Sequence, residues 1–405
     1  RLSLAEQKKI VLLASSFLGT PKLESNPKDE KENEVLNIFE QIHNTNKMDY
    51  KFKEICNRTL SETECAEVWY LQQVEKNYWN NTILQGKEFK LRCQIISPAL
   101  GYTLYPVFDE YGDMILFACY YKRNEYIDGK SVDVYFMDVY TNEFIYLLRK
   151  EQSSWVYVES KEKGINGKII NTIGKIPVIY YSQEQTEWHD VQEAIERLET
   201  KISNHADTND YFDSPIVVSK GEVKGFADKG EQGKLLTAEN GADVSYLTWD
   251  NAPESMKMEV ENLQSFIGCL THTPNISFDN IKTLGNFSGI ALKMFFMDAH
   301  MKASQKEELF GQCIIRRINY IKSVLNILLP NVKEVNTLTI KPKFTYFLPK
   351  DVDGEVNTLC KAYQAGILSK ETAVKLNPLV TDYMSELELI NSSTKTNNVL
   401  GGGTN

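Results

Sequence analysis

The sequence predicts an α+β protein in which long helices join a β-rich region to a small inserted module. Three observations predict this class. Apolar residues alternate with polar ones from Phe89 onward, which is typical of strands. In residues 186–210 the apolar positions recur with a mean period of 3.5, which is typical of a helix that packs along one seam. From Ser288 to Leu329 the chain contains no proline, which favours one very long helix.

Composition indicates an ordinary globular protein of two to four domains. The chain has 405 residues, of which 42% are hydrophobic and 25% are charged, and its net charge is -10. This charge argues against a protein that holds nucleic acid by neutralising phosphates, but not against one that lets DNA pass. The seven cysteines show no CxxC spacing, so we expect neither a zinc site nor a disulfide framework, and folding in a reducing cytoplasm. No apolar run is long enough to predict a membrane helix.

The first part of the chain divides into a helical and a β-rich region. We expect helices in residues 1–80, with a mobile linker at Thr20 to Glu34, where prolines and charges accumulate. Alternation then predicts strands at 89–95, 114–121, 132–140, 143–148 and 177–181. Much later, residues 338–348 alternate again, and we expect this strand to return to the same sheet.

An acidic helix follows the β-rich region. Its apolar stripe is formed by Trp188, Val191, Ile195, Leu198, Ile202 and His205. Acids recur at every third residue at Glu187, Asp190, Glu193, Glu196 and Glu199, so they follow an i+3 ridge that winds around the helix. With Asp207 and Asp210 the segment holds seven acids against Arg197 and Lys201, a net charge of -5. An acidic ridge on a helix is usually a solvated face.

A small module lies between this helix and the next one. Short strands are predicted at 216–219, 234–238 and 244–249, and a second amphipathic helix runs from Pro253 to Leu270. This order is typical of a hairpin-like domain held at the tip of a two-helix stem. Residues 271–288 then form an 18-residue loop that leads into the long helix, and loops of that length are usually functional or disordered.

The end of the chain is predicted to be helical and then disordered. A helix from Ser288 to Leu329 would be about 60 Å long, which exceeds what a small domain needs. Residues 351–391 read as short helices separated by Gly366 and Pro378. We expect the polar, glycine-rich residues 392–405 to be disordered.

No residue pattern indicates an enzyme. The chain has five histidines but no HExxH, and it lacks a P-loop, GxGxxG and GxSxG. We therefore predict no catalytic residues, no metal site and no cofactor. A carboxylate-based hydrolase remains an alternative, because pairs such as Glu193 and Glu196 have the chemistry for acid and base catalysis.

The order of these elements resembles the portal protein family of tailed bacteriophages, closest to the long-tailed SPP type. Ile95-Ile96-Ser97-Pro98 with Leu104-Tyr105-Pro106 resembles the wing strands of that family, and Asp213-Ser214-Pro215-Ile216 resembles the passage from stem to clip. Asn286-Phe287-Ser288-Gly289 with Ile290-Ala291-Leu292-Lys293 is similar to the family's tunnel loop and the start of its spine helix. Leu368-Ser369-Lys370-Glu371 and the residues after it resemble the crown.

The resemblance implies a portal fold and the following division of the chain. The implied segments, in chain order, are the N-terminal helices and wing (1–185), stem helix (186–210), clip (211–249), stem helix (250–270), tunnel loop (271–288), spine helix (289–330), returning wing strand (331–350), crown (351–391) and tail (392–405).

The resemblance also implies a function and its partners. Twelve subunits would form a ring at one capsid vertex in the virion, after assembly in the host cytoplasm, and double-stranded DNA would be pumped in and later ejected through it. The implied partners are the large terminase, the head-to-tail adaptor, and the major capsid and scaffold proteins, with no membrane. A different virion ring or collar protein is the main alternative.

Three groups of residues are the candidate sites. The stem acids Glu187, Asp190, Glu193, Glu196 and Glu199 would line the channel and repel phosphate, so that DNA slides without sticking. The tunnel loop would present Asn275, Asn280, Lys282, Gly285, Asn286 and Ser288 to the DNA. The clip would dock terminase and adaptor through Ile216, Val218, Lys220, Lys234, Leu236, Tyr246 and Trp249.

Overall fold

The computed structural model describes residues 2–127, 129–160, 165–212, 216–220, 223–224, 237–238, 243–247, 253–274, 294–346 and 352–400. The chain forms two compact units. The first unit comprises Arg1–Asn275 and Asp298–Tyr346, and the second comprises Ile276–Met297 and Phe347–Asn405.

Helices in the first unit flank two sheets. Their bounds are α1 Glu6–Leu18, α2 Glu30–Thr45, α3 Met48–Glu62, α4 Gln192–Phe212, α5 Pro253–Leu270, α6 Met297–Leu328 and α7 Glu334–Thr337. Short 3₁₀ helices occur at Pro98–Leu100 and His189–Val191. In the described ranges, no helix has the length and apolar character that crossing a membrane requires.

The strands before α4 are β1 Lys22–Ser25, β2 Glu64–Gln73, β3 Phe89–Ile96, β4 Tyr102–Phe108, β5 Met114–Ile127, β6 Lys130–Tyr140, β7 Phe144–Glu151, β8 Ser154–Tyr157, β9 Glu159–Ser160, β10 Ile165–Asn166, β11 Lys168–Ile170 and β12 Val178–Ser182. Strands β12, β2 and β3 form an antiparallel three-stranded sheet in that order. A six-stranded sheet has the order β11-β7-β6-β5-β4, with β8 also paired to β7. Strands β9 and β10 pair separately.

The three-stranded sheet is buried on both faces. In β2, Cys65 and Trp69 belong to a core shared with α2, α3 and α6, whereas Ala66 and Val68 belong to a second core shared with the six-stranded sheet. Successive side chains of a strand point to opposite faces. The first unit is therefore layered in the order helices, three-stranded sheet, six-stranded sheet.

Strand β2 lies in a region for which the sequence predicts helices. Its first half is Cys65-Ala66-Glu67-Val68-Trp69, and all five residues are buried. A strand covered on both faces loses the apolar-polar alternation that identifies a half-buried strand. The prediction of an all-helical segment 1–80 is therefore wrong between Glu64 and Gln73.

The segment expected to be a mobile linker contains strand β1 instead. Lys22 pairs with Lys343 and Ser25 with Ile340, in an antiparallel pair with β17, Ile340–Lys343. The same pairing corrects a second expectation, because the late strand does not return to the β-rich sheet. Both errors have one cause, since each of these short strands finds its partner more than 300 residues away.

Gly19 holds a backbone conformation that a side chain would oppose. It follows α1 with a φ of +69°, and a Cβ added there would lie 2.6 Å from the Thr345 carbonyl oxygen. Gly19→Ala is expected to lower the free energy of unfolding by about 1–3 kcal/mol, measured by urea denaturation. Gly86 is the matched control, because its φ is +82° but a Cβ would meet nothing within 4 Å. An equal loss in Gly86→Ala and Gly19→Ala would show that the contact with Thr345 contributes nothing.

The long helix is shorter in the described residues than the sequence predicts. Helix α6 has 32 residues and a length of about 48 Å. A turn at Phe296 separates it from helical residues Met294 and Phe295, and residues 288–293 lie outside the described ranges.

The described part of the second unit includes three helices, α8 Val352–Gln364, α9 Lys370–Leu376 and α10 Tyr383–Leu400. Ser369 caps α9 by accepting a hydrogen bond from the Thr372 amide at 3.2 Å. The expected disorder of residues 392–405 is wrong as far as Leu400, because α10 continues to that residue. No glycine or proline interrupts the chain between Tyr383 and Leu400, whereas Gly401 to Gly403 follow directly.

Candidate functional site

Helix α4 packs along the apolar stripe that its spacing predicts. Val191, Ile195 and Leu198 are buried together with Ile10 of α1 and Ile267 of α5. Ile202 and Trp188 pack against the same cluster from its edge. The stripe thus determines which side of α4 packs against α1 and α5 and which side is left for solvent or a partner.

The five predicted stem acids do not share one environment. Asp190, Glu193 and Glu196 are exposed, whereas Glu199 is 7% exposed and Glu187 has a side chain that is 8% exposed. Residues three apart on a helix differ by about 300° around the helix axis, which is about 60° short of a full turn. Two steps from Glu193 therefore move Glu199 from the exposed face toward the protein.

Glu199 and its neighbour Ser203 bind the beginning of the chain. The Leu4 amide donates to Glu199 Oε1 at 2.9 Å, and the Leu2 amide donates to Ser203 Oγ at 2.8 Å. The N-terminal residues thereby cover this side of α4. We therefore remove Glu199 from the residues that we expect to line a channel.

Glu187 forms a buried ion-pair cluster with α6. Its Oε1 lies 2.7 Å from Lys302 Nζ, and its Oε2 lies 2.8 Å from Lys306 Nζ. Burial acts to raise the pKa of Glu187, but the attraction and hydrogen bonds of the two lysines outweigh it and leave the pKa below its usual value. Glu187 therefore joins the segment before α4 to α6, and we also remove it from the residues that we expect to line a channel.

The lowered pKa of Glu187 predicts a loss of stability in acid. The folded protein binds this proton less readily than the unfolded chain, so the stabilisation is complete above the unfolded pKa of about 4.3 and is lost as the pH falls below it. Glu187→Gln is expected to lower the free energy of unfolding by about 3 kcal/mol at pH 7, because Lys302 stays buried without its carboxylate. Urea denaturation at pH 7 and pH 3 measures both values.

The difference between Glu187→Gln and the wild type should shrink markedly at pH 3. Glu184→Gln is the control, because Glu184 is exposed and its replacement should change stability little at either pH. A loss that is the same at both pH values would show that the ionised carboxylate is not the source of the stabilisation.

Helix α5 joins α4 through a surface ion-pair group as well as the apolar seam. Glu259 Oε1 accepts hydrogen bonds from Arg197 Nε at 3.1 Å and from its Nη2 at 3.0 Å, and Lys201 Nζ lies 2.8 Å from Oε2. Both basic residues of the acidic segment are thus directed toward α5. The exposed face around Glu193 is left predominantly acidic.

The root of the predicted tunnel loop is held by Lys302. Its Nζ donates to the Thr271 carbonyl oxygen at 2.6 Å, and Thr271 Oγ1 donates to the Ile267 carbonyl oxygen at 2.6 Å. Thr271 therefore connects the end of α5 to α6. The six loop residues predicted to face DNA, from Asn275 to Ser288, lie outside the described residues.

Two strand pairs occur in the part of the inserted module that the structure describes. Strand β13 Ile216–Lys220 pairs with β16 Asp243–Leu247, and β14 Val223–Lys224 pairs with β15 Thr237–Ala238. The predicted strand pattern of the module is therefore confirmed for these residues. Ile216, Val218, Lys220 and Tyr246 lie on these strands, whereas Lys234, Leu236 and Trp249 lie outside the described residues.

The sequence analysis did not identify Lys302 and Lys306 as partners of Glu187. Their spacing of four residues places both lysines on one face of α6, and this spacing was the only feature of the sequence that could have indicated a shared partner. Nothing in the sequence connects them to Glu187, more than 100 residues earlier.

Among the described residues, no group of three or more His, Cys, Asp or Glu side chains is arranged to hold a metal ion.

Comparison with models of known protein families matches residues 1–399 to the family described as "Phage portal protein, SPP1 Gp6-like". No curated protein matches the chain.

Proposed function

The chain belongs to the SPP1 Gp6-like family of phage portal proteins, and from this premise we propose that Asp190, Glu193 and Glu196 line the DNA channel of its ring. The family is structural and not enzymatic, and its ring connects head and tail and serves DNA packaging. The match over residues 1–399 is the observation that carries this function.

The exposed face of α4 and of the 3₁₀ helix just before it has the charge that a DNA channel requires. Asp190, Glu193 and Glu196 are exposed, while Arg197 and Lys201 are held by Glu259. A basic wall would release counterions from DNA and bind it, whereas an acidic wall repels phosphate and leaves the duplex free to slide. Only these three of the five predicted acids belong to the proposed wall.

The module of residues 211–249 is proposed as the clip. Because α4 leads into it and α5 leads out of it, it lies at the tip of a two-helix stem. Its strands would first receive the large terminase and later the head-to-tail adaptor. The residues proposed for docking are Ile216, Val218, Lys220, Lys234, Leu236, Tyr246 and Trp249. ATP hydrolysis would belong to the terminase.

Residues 271–288 are proposed as the tunnel loop. Its root at Thr271 is tied to α6 through Lys302, so the loop would start from a fixed point. Asn275, Asn280, Gly285, Asn286 and Gly289 would give the backbone its freedom, and Ser288 would face the DNA. Lys282, the only Lys or Arg of the segment, would contact phosphate transiently.

The remaining assignments follow the same family pattern. We assign residues 1–185 to N-terminal helices and the wing, 289–330 to the spine and 351–391 to the crown. The ring would contain twelve subunits, assemble in the host cytoplasm with scaffold and major capsid proteins, and occupy the head-tail interface of the virion.

The mass and shape of the purified protein test this function. Native mass spectrometry combined with negative-stain imaging should reveal rings of about twelve subunits with a central hole wide enough for duplex DNA. A chain that remains monomeric both alone and when it is produced together with its scaffold and capsid proteins would contradict the proposal.

A further inference from the structure

The outer face of the six-stranded sheet carries aromatic side chains at its surface. The rings of Tyr120 and Tyr135 stack with centroids 5.7 Å apart, and Trp155 packs edge-on against Tyr120 at 6.1 Å. In the second core, the opposite face of this sheet is already buried by residues such as Phe117 and Phe136. Tyr135 and Trp155 nevertheless remain 37% and 36% exposed.

Lysines lie among these rings. Lys150 Nζ is 6.0 Å from the Tyr135 ring centroid, and Lys168 Nζ is 4.3 Å from that of Phe144. Tyr157 stacks on Tyr146 at 6.3 Å and is 48% exposed. We call this surface the aromatic-lysine face; its main residues are Tyr120, Tyr135, Trp155, Tyr157, Lys150 and Lys168. Tyrosine and tryptophan are enriched in the cores of interfaces, so partly exposed rings on this face favour contact with another molecule.

An acidic surface lies at the opposite end of the same unit. Helix α2 buries Val35, Phe39 and Ile42 in the first core. It also lies directly over strand β3, where Asn46 Nδ2, just after α2, donates to the Leu91 carbonyl oxygen at 2.9 Å. The exposed side of α2 carries the three acids Glu30, Glu34 and Glu40 and one lysine, Lys31, and we call it the acidic α2 face.

The layering places these two faces on opposite sides of the unit. The three-stranded sheet is covered by α2 on one side and by the six-stranded sheet on the other, and each of the two faces points away from that central sheet. A closed ring of identical subunits needs two different, complementary surfaces on opposite sides of each subunit. The opposite charges of the two faces meet this requirement.

We propose that the aromatic-lysine face of one subunit docks on the acidic α2 face of the next copy in the ring. Lys150 and Lys168 pair with Glu34 and Glu40 of the neighbouring copy, and Tyr135 and Trp155 bury their rings between them. The proposal rests on the ring that the family forms and does not depend on the channel-lining role of the stem acids.

Charge reversal on each face tests this contact. Lys150→Glu with Lys168→Glu should lower the fraction of protein in rings at least about tenfold, as should Glu34→Lys with Glu40→Lys, because like charges then face each other. The protein with all four substitutions should form rings again. Native mass spectrometry at one protein concentration measures the fraction, and circular dichroism verifies that each variant is folded.

Lys53→Glu with Lys341→Glu is the matched control, since both lysines are exposed outside the two faces and the change in charge is the same. Normal rings in the Lys150→Glu and Lys168→Glu protein would overturn the proposal, even if that protein then failed to enter capsids. Failure of the fourfold variant to recover while each pair is folded would also overturn it.

A disulfide trap tests the contact without relying on ring yield. Tyr157→Cys combined with Asn37→Cys should give cross-linked copies under mild oxidation, and neither single variant should do so. Absence of the cross-link from assembled rings would contradict the proposal. Wild-type protein that forms no ring under any condition would instead contradict the proposed function, so the two failures are distinguishable.

Discussion

Phage that carry Glu193→Lys and Glu196→Lys are expected to fill their heads slowly or not at all. Both acids are exposed on α4, and reversing them changes the charge of each subunit by four units. Each lysine that neutralises a phosphate releases counterions and adds affinity, so a wall that repels DNA becomes one that binds it. Because the substitution is repeated around a ring, even weak contacts accumulate over the circumference.

Nuclease-protected DNA in purified heads measures this effect. Glu193→Gln with Glu196→Gln should lie between the wild type and the lysine variant, because it removes repulsion without adding attraction. Glu110→Lys with Glu143→Lys is the control, since both are exposed in turns of the six-stranded sheet and the charge change is identical. Normal filling in the Glu193→Lys and Glu196→Lys phage would count against the lining role of α4.

Removing the carboxylate of Glu67 is expected to have the largest effect on folding. Arg317 of α6 donates from Nε to Glu67 Oε1 and Oε2 at 3.1 and 3.0 Å, and the Tyr181 hydroxyl donates to Oε1 at 2.7 Å. The residues Glu67 and Arg317 are 0% and 3% exposed. Glu67→Ala would leave the guanidinium buried and unpaired, which costs about 3–5 kcal/mol in the free energy of unfolding.

A double substitution separates the charge penalty from loss of packing. Glu67→Leu with Arg317→Met replaces the buried pair by apolar side chains, and it should recover much of the stability that Glu67→Leu alone loses. Urea denaturation of all variants measures the coupling. A loss below about 1 kcal/mol in Glu67→Ala would show that this network does not fasten α6 to the three-stranded sheet.

Local patterns in the sequence were sufficient to predict the helices on either side of the inserted module, although α4 begins at Gln192 and not at residue 186. Helix α5 begins at Pro253 and ends at Leu270, as predicted, because its apolar stripe and its starting proline are both local signals. The strands between 114 and 148 likewise follow from alternation and turn residues. These elements have one covered and one exposed face. Apolar and polar residues therefore recur with the period of the helix or strand, and this pattern is visible in the sequence.

Contacts between distant segments were not predictable from periodicity. The pairing of Lys22–Ser25 with Ile340–Lys343 and the double burial of β2 both depend on which segments meet in space. The candidate site shows the same limit. An i+3 ridge of acids is visible in the sequence, but the burial of Glu187 by Lys302 and of Glu199 by the N-terminal residues is not.

A cryo-electron microscopy map of the assembled ring would test the central claim most directly, because it would give the position of α4 relative to the channel. We expect about twelve subunits around a central hole, with the carboxylates of Asp190, Glu193 and Glu196 on its wall. A ring in which these three side chains lie on the outer surface, or are buried against the neighbouring subunit, would contradict the account.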